Sequence, residues 1–193
     1  FNYPDVTPED IKTYGLYDYP EINGFNKLPT VLSSKDYYVT PAVSKQFDWI
    51  NGQLGMSKQI RVWVIIFKDK PRSVGLYQEA YWKGGNKNEF IVTIGIDNDS
   101  NITWVRPFSW TMKKELIATV RDDIFNMKKF NDVKISTYLG KNVPKMWKRR
   151  EFKEFEYLSV EESGAAFYGC YITMFLLSAI FFGFFLVKFE DFL

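Results

Sequence analysis

The chain has 193 residues, of which 46% are hydrophobic and 19% aromatic, with a formal net charge of +2. That length holds one domain of about 130–150 residues plus a membrane segment, and so small a charge excludes the broad basic field of a nucleic-acid binder. There is no histidine, which removes imidazole bases, Ser–His and Cys–His nucleophile pairs and most zinc sites; the single cysteine, Cys170, excludes an intrachain disulfide.

Residues 1–39 are rich in Pro, Gly, Asn, Asp and Tyr and show no sustained period. They predict an extended aromatic arm with turns at Tyr19-Pro20 and Asn23-Gly24. Thr40 and Pro41 are the N-cap and first residue of a predicted helix, with Val43, Phe47, Ile50 and Leu54 as its apolar stripe and Gly55 as its end. RVWVIIF (Arg61–Phe67) and FIVTIGID (Phe90–Asp97) are apolar, β-branched runs without alternation, the signature of strands covered on both faces. About twenty residues connect them, including a predicted helix over Ser73–Trp82 with Val74, Tyr77 and Tyr81 on one side; the unit is βαβ with parallel strands. The Lys83–Lys87 loop, with Gly84 and Gly85, misses the P-loop spacing and precedes a strand, so it reads as a turn.

ITWVRPF (Ile102–Phe108) is the expected hairpin partner of the second strand. A long helix over Thr111–Lys129 buries Leu116, Val120, Ile124 and Met127. Asn131–Leu158 predicts one further helix and then a charged, aromatic juxtamembrane helix. Next comes Ala165–Val187, a run of 23 uncharged residues that exceeds the roughly 20 needed to cross a hydrocarbon core. Tyr168 and Tyr171 near its start fit an interfacial belt. The expected boundaries are an arm at 1–39, an α/β domain at 40–146, a juxtamembrane helix at 147–164, a transmembrane helix at 165–187 and a tail at 188–193.

This layout resembles the TPM domain family over Thr40–Met146. The resemblance rests on the helix AVSKQFDWINGQLGMSKQI, the strand after it, the helix ending in YWKGGNKNE, and the strand and acidic turn FIVTIGIDND. Trp82, Gly84, Lys87 and Asn88 follow the family's wording at the loop. Glu89 and Phe90 stand where an Asn-Gly pair is usual, and TWVRPFSW replaces a glycine-rich edge. The resemblance implies a three-layer αβα sandwich with a mixed, mostly parallel sheet, carried on one transmembrane helix. It implies a non-catalytic accessory or assembly subunit of a membrane protein complex, with a divalent-metal-dependent acid phosphatase or Ca²⁺-binding sensor as the alternative.

The residues themselves offer one chemical constellation. Asp69 and Asp97 fall at the carboxyl ends of two adjacent parallel strands, where open α/β sheets bind ligands. Asp99 is nearby, and Asp122 and Asp123 on the long helix are within reach, so five hard carboxylates make a candidate Ca²⁺ or Mg²⁺ site. The plain alternative is that Asp97 and Asp99 are turn residues and Asp122 and Asp123 a solvated helix face. Arg121 is the one neighbouring cation for a phosphate, and no catalytic residue is identified. KMWKRREFKEF (Lys145–Phe155) is basic and aromatic, suited either to an interfacial helix on anionic lipid or to a plain stalk. Lys148, Arg149 and Arg150 before the span would place the domain in the cytoplasm. The resemblance and the sequons at Asn98 and Asn101 favour the extracytoplasmic face, which is the expectation adopted.

Overall fold

The computed structural model describes residues 3–21, 28–33, 37–151, 153 and 164–190; the turn expected at Asn23-Gly24 lies outside them. The two apolar runs form β2 (Arg61–Lys68) and β3 (Glu89–Ile96), paired in parallel from Arg61↔Glu89 to Lys68↔Ile96. Their interior residues are buried on both faces, which is why neither run alternates. β4 (Ile102–Ser109) returns antiparallel to β3, as a hairpin joined by the Asp97–Asn101 turn. Gly95 on β3 faces the Trp104 indole on β4 so closely that a Cβ would enter the ring.

The other edge corrects the expected arm. β1 (Val31–Ser33) pairs in parallel with β2, so the sheet order is β1-β2-β3-β4. A helix, α1 (Pro8–Tyr14), precedes it. Thr7 and Asp10 form a capping box at its start and Gly15 closes it in the left-handed region. Neither element announces itself in sequence. β1 has three residues, too few to show a period, and α1 buries no residue fully. Tertiary contacts hold them instead: β1 by its pairing with β2, and the α1 region by Tyr14, which stacks on Tyr77 at 4.4 Å, and by the buried Gln78 amide, which accepts from Tyr17 N–H (2.8 Å) and donates to its carbonyl (3.0 Å).

Helices cover both faces of the sheet. α2 (Pro41–Lys58) begins at the Thr40 cap and buries Phe47, Ile50 and Leu54 against Val62, Val64 and Ile66. It runs past Gly55 because Gln59 takes the left-handed capping position (φ 52°) and donates to the Gly55 and Leu54 carbonyls. α4 (Lys114–Asn126) buries Leu116, Val120 and Ile124 in the same cluster, with Met127 packed against it from beyond the helix end; α5 (Asp132–Met146) adds Ile135, Leu139 and Val143. α3 (Ser73–Tyr81) lies on the opposite face with Val74 among Trp63, Ile65 and Phe67. The result is a three-layer αβα arrangement around a mixed sheet. Both parallel crossovers step the same way across the sheet, one through α2 and one through α3 on opposite faces. They therefore have opposite hands, and one is the rare left-handed kind.

The expected juxtamembrane helix does not begin at residue 147. Trp147 leaves α5 in an extended conformation (φ −64°, ψ 126°) and is buried in the core, and residues 147–151 are not helical. Lys148 offers its carbonyl to Met112 N–H (3.1 Å) and the Thr111 hydroxyl (3.1 Å), so these residues strap the domain. The same bonds remove the interfacial-helix reading over 147–151; most of the rest of that segment lies outside the described residues.

Residues 1–150 and 151–193 form two separate units. The second contains α6 (Gly164–Glu190), whose stretch Phe167–Phe185, 19 residues of mean hydropathy 1.8, is wholly exposed. At about 1.5 Å per residue it matches a hydrocarbon core of about 30 Å. α6 is thus long and apolar enough to cross a membrane.

Candidate functional site

Three of the five predicted carboxylates, Asp97, Asp122 and Asp123, are engaged in local hydrogen bonds or ion pairs. Asp97 accepts from Asp99 N–H (2.9 Å), Asn101 N–H (2.7 Å) and the Asn101 amide (2.8 Å). Those bonds, the Asn101 amide foremost, hold its carboxyl below the usual range. This is an Asx-type turn that ties the β3–β4 hairpin. Asp69 is exposed with φ 52°, and its N–H donates to Ile96 carbonyl (2.8 Å). Asp122 pairs with Arg121 (2.8 Å) and Asp123 accepts from the Tyr138 hydroxyl (2.6 Å). Asp99 is exposed and lends its backbone to the turn. Among the described residues no three His, Cys, Asp or Glu side chains converge as a metal site would need. The five carboxylates are not brought together as a metal-binding cluster.

The amino end of the parallel strands is different. Glu89 opens β3 and is 4% exposed. Trp63 Nε1 (3.0 Å) and the Tyr19 hydroxyl donate to its Oε1, and Asn86 N–H donates to Oε2 (2.9 Å). These three donors satisfy the hydrogen-bonding needs of a buried carboxyl group. Burial, followed by the bond to Glu89, pushes the Tyr19 phenol up to about 12. The Arg61 guanidinium lies over the Trp63 ring at 4.1 Å, and burial draws its pKa down against the opposing pull of Glu89.

The loop that sequence marked as a turn builds this end. Gly84 and Gly85 both take positive φ (77° and 79°), a conformation glycine adopts without strain. The turn they make carries the chain from Trp82 to Asn86. Trp82 is buried, donates from Nε1 to Tyr17 carbonyl (2.7 Å), and stands edge-on to Trp63 and Tyr19. Asn51 reaches from α2 to pair with both Val62 N–H (2.7 Å) and Val62 carbonyl (2.8 Å), fixing the start of β2. Between these groups lies a pocket of about 430 Å³ lined by Tyr19, Gln59, Arg61, Asn86, Asn88 and Glu89, among others. Comparison of the chain with protein-family models and with curated proteins finds no match.

Chemically the pocket is a hydrogen-bonding surface of amides, one phenol, one guanidinium and one buried carboxylate. Both Glu89 oxygens are occupied, so its role there is to hold Tyr19, Trp63 and the Asn86 loop in place. Glu89 was visible in sequence only as a departure from the Asn-Gly pair of the TPM pattern. A better signal is its position: a carboxylate immediately before an unbroken buried strand must enter the protein, and Trp63, two residues into the neighbouring strand, supplies the donor.

Proposed function

We propose that this protein is a membrane-anchored accessory or assembly subunit of a membrane protein complex, built from a TPM-like domain and a single spanning helix. The observation that carries this reading is the union of a fully exposed membrane-length helix with a folded α/β unit in which three of the candidate metal carboxylates, Asp97, Asp122 and Asp123, are engaged in internal bonds. A helix of that kind confines the domain to a bilayer and raises its effective concentration toward membrane partners. The resemblance at YWKGGNKNE supports the family assignment, and the same loop shapes the amino-end pocket, which offers polar contacts suited to a protein surface. The folded domain stands on the extracytoplasmic side, in a periplasm, a lumen or the cell exterior.

Chemical crosslinking of the full chain in its native membrane tests the reading. A discrete adduct with a second membrane protein is expected, lost when α6 is deleted. Crosslinking only to itself, or to many proteins at random, would overturn it. A cysteine placed at the exposed Asn98 reads the sidedness. It reacts with an impermeant thiol reagent applied from outside if the domain is extracytoplasmic, and only after permeabilisation if it is not.

A further inference from the structure

Two neighbouring helices turn apolar and basic stripes outward. On α2 the residues opposite the buried Phe47, Ile50 and Leu54 are Ala42, Lys45, Trp49, Gln53 and Met56, at helical spacing. The outward side of such a helix is ordinarily polar, yet Trp49 is 67% and Met56 85% exposed. Gly52 lies between them, with open space among the described residues where a Cβ would stand. Packing within the domain therefore does not call for a glycine at that place.

α5 runs alongside, so close that a Cβ on Gly140 would stand 3.3 Å from Ile50. Opposite its buried Ile135, Leu139 and Val143 are Lys134, Thr137, Lys141 and Lys145. Lys45, Lys134, Lys141 and Lys145 are all exposed, and none has an ion-pair partner among the described residues. The two helices carry only two carboxylates, both off these stripes and both bonded within the domain. Asp48 accepts from the Thr30 hydroxyl (2.8 Å) and Asp132 from Val133 N–H (2.8 Å). From α4, Asp123 accepts from the Tyr138 hydroxyl (2.6 Å).

We propose that this α2–α5 face docks on the anionic lipid surface of the membrane in which α6 is anchored. The proposal rests on α6 as an anchor and on no protein partner; the anchor keeps such a surface at high effective concentration beside the domain. Trp49 suits the headgroup level, where indole rings collect. Met56 reaches toward the acyl boundary, and the lysine stems lie along the surface with their ammonium groups among the headgroups. That all four cations are lysines favours the same occupant. A compact, hydrated ammonium suits a diffuse field of headgroups, whereas the carboxylates of a protein partner favour the planar fork of arginine. Each lysine near an anionic leaflet strengthens the contact about fivefold.

The test uses the full chain in lipid discs, with Cys170→Ser removing the native thiol and Met56→Cys carrying a nitroxide. In discs containing phosphatidylglycerol the nitroxide should become accessible to dissolved oxygen and shielded from a water-soluble nickel chelate. In discs of phosphatidylcholine alone it should remain open to the chelate. Lys134→Glu with Lys141→Glu and Lys145→Glu should weaken docking more than about a hundredfold and return the nitroxide to water. All three lysines are exposed, so the unfolding temperature should hold. The same nitroxide carried by Ile180→Cys in α6 reports insertion of the anchor. A nitroxide at position 56 that stays in water while the one at 180 is in lipid would overturn the proposal and leave the accessory-subunit reading standing; both in water would overturn the anchor and the proposal with it. Equal shielding in neutral discs, or in the reversed variant, would also overturn it. Shielding that grows with protein concentration in detergent alone would make the face a contact between copies, and shielding in the native membrane but not in discs a contact with another protein; either result overturns the lipid assignment.

Discussion

The two ends of the parallel strands carry carboxylates in opposite ways. At the carboxyl end Asp97 sits in a solvated turn, and its partners are the backbone and side chain of the next few residues. At the amino end Glu89 is buried, and its donors arrive from β2, from the Asn86 loop and from Tyr19, up to 70 residues away. A local cluster of acids is conspicuous in sequence because its members are adjacent, yet adjacency is what lets each satisfy itself. A carboxylate held by distant donors looks ordinary in sequence and organises one end of the fold.

The sharpest break of that comparison is Glu89→Ala. It strands the Trp63, Tyr19 and Asn86 donors, and with unmet buried groups costing about 1–3 kcal/mol each the full chain should lose about 3 kcal/mol in urea unfolding. A loss below about 1 kcal/mol would mean that Glu89 is no keystone. Next in size is Gly95→Val, which forces side-chain atoms into the Trp104 indole and should cost about 1–3 kcal/mol, read as a lowered unfolding temperature. It shows that packing, not the acidic turn, holds the carboxyl end.

Tyr19→Phe removes one hydrogen bond to Glu89, worth about 1 kcal/mol, and it alters the alkaline limb of stability. The Tyr19 phenol is pushed up to about 12 from an ordinary value near 10. Its contribution is therefore complete below about pH 10 and is lost as the pH rises toward 12. The variant should show a shallower decline over that window. Asp97→Asn should have the smallest effect. The lowered Asp97 pKa gives a contribution present above about pH 4 and lost as the pH falls through the folded value. Unfolding midpoints of variant and parent should differ slightly at pH 7 and converge in acid.

Where sequence carried the architecture, it did so through long periodic or unbroken apolar runs. The stripe Phe47, Ile50 and Leu54, the strands β2 and β3, the hairpin with β4 and the face Leu116, Val120 and Ile124 all stand in the structure where spacing put them. Local signals failed where tertiary contacts decide. α1 and β1 are too short to show a period, and Gln78 and Tyr14 fasten their region to α3 through side chains rather than pattern. The basic segment after α5 has the composition of a helix, yet burial of Trp147 and the bonds to Lys148 carbonyl keep its start extended. The amino-end pocket joins residues 19, 59, 61, 86 and 89, a set that no window of sequence contains.

The most direct test of an anchored accessory role is the mass of the full chain extracted gently from its native membrane into lipid discs. A discrete particle heavier than the 22.7 kDa chain and its disc, with a second membrane protein in fixed ratio, is the predicted result. A disc holding this chain alone, under conditions that keep other membrane complexes intact, would contradict it.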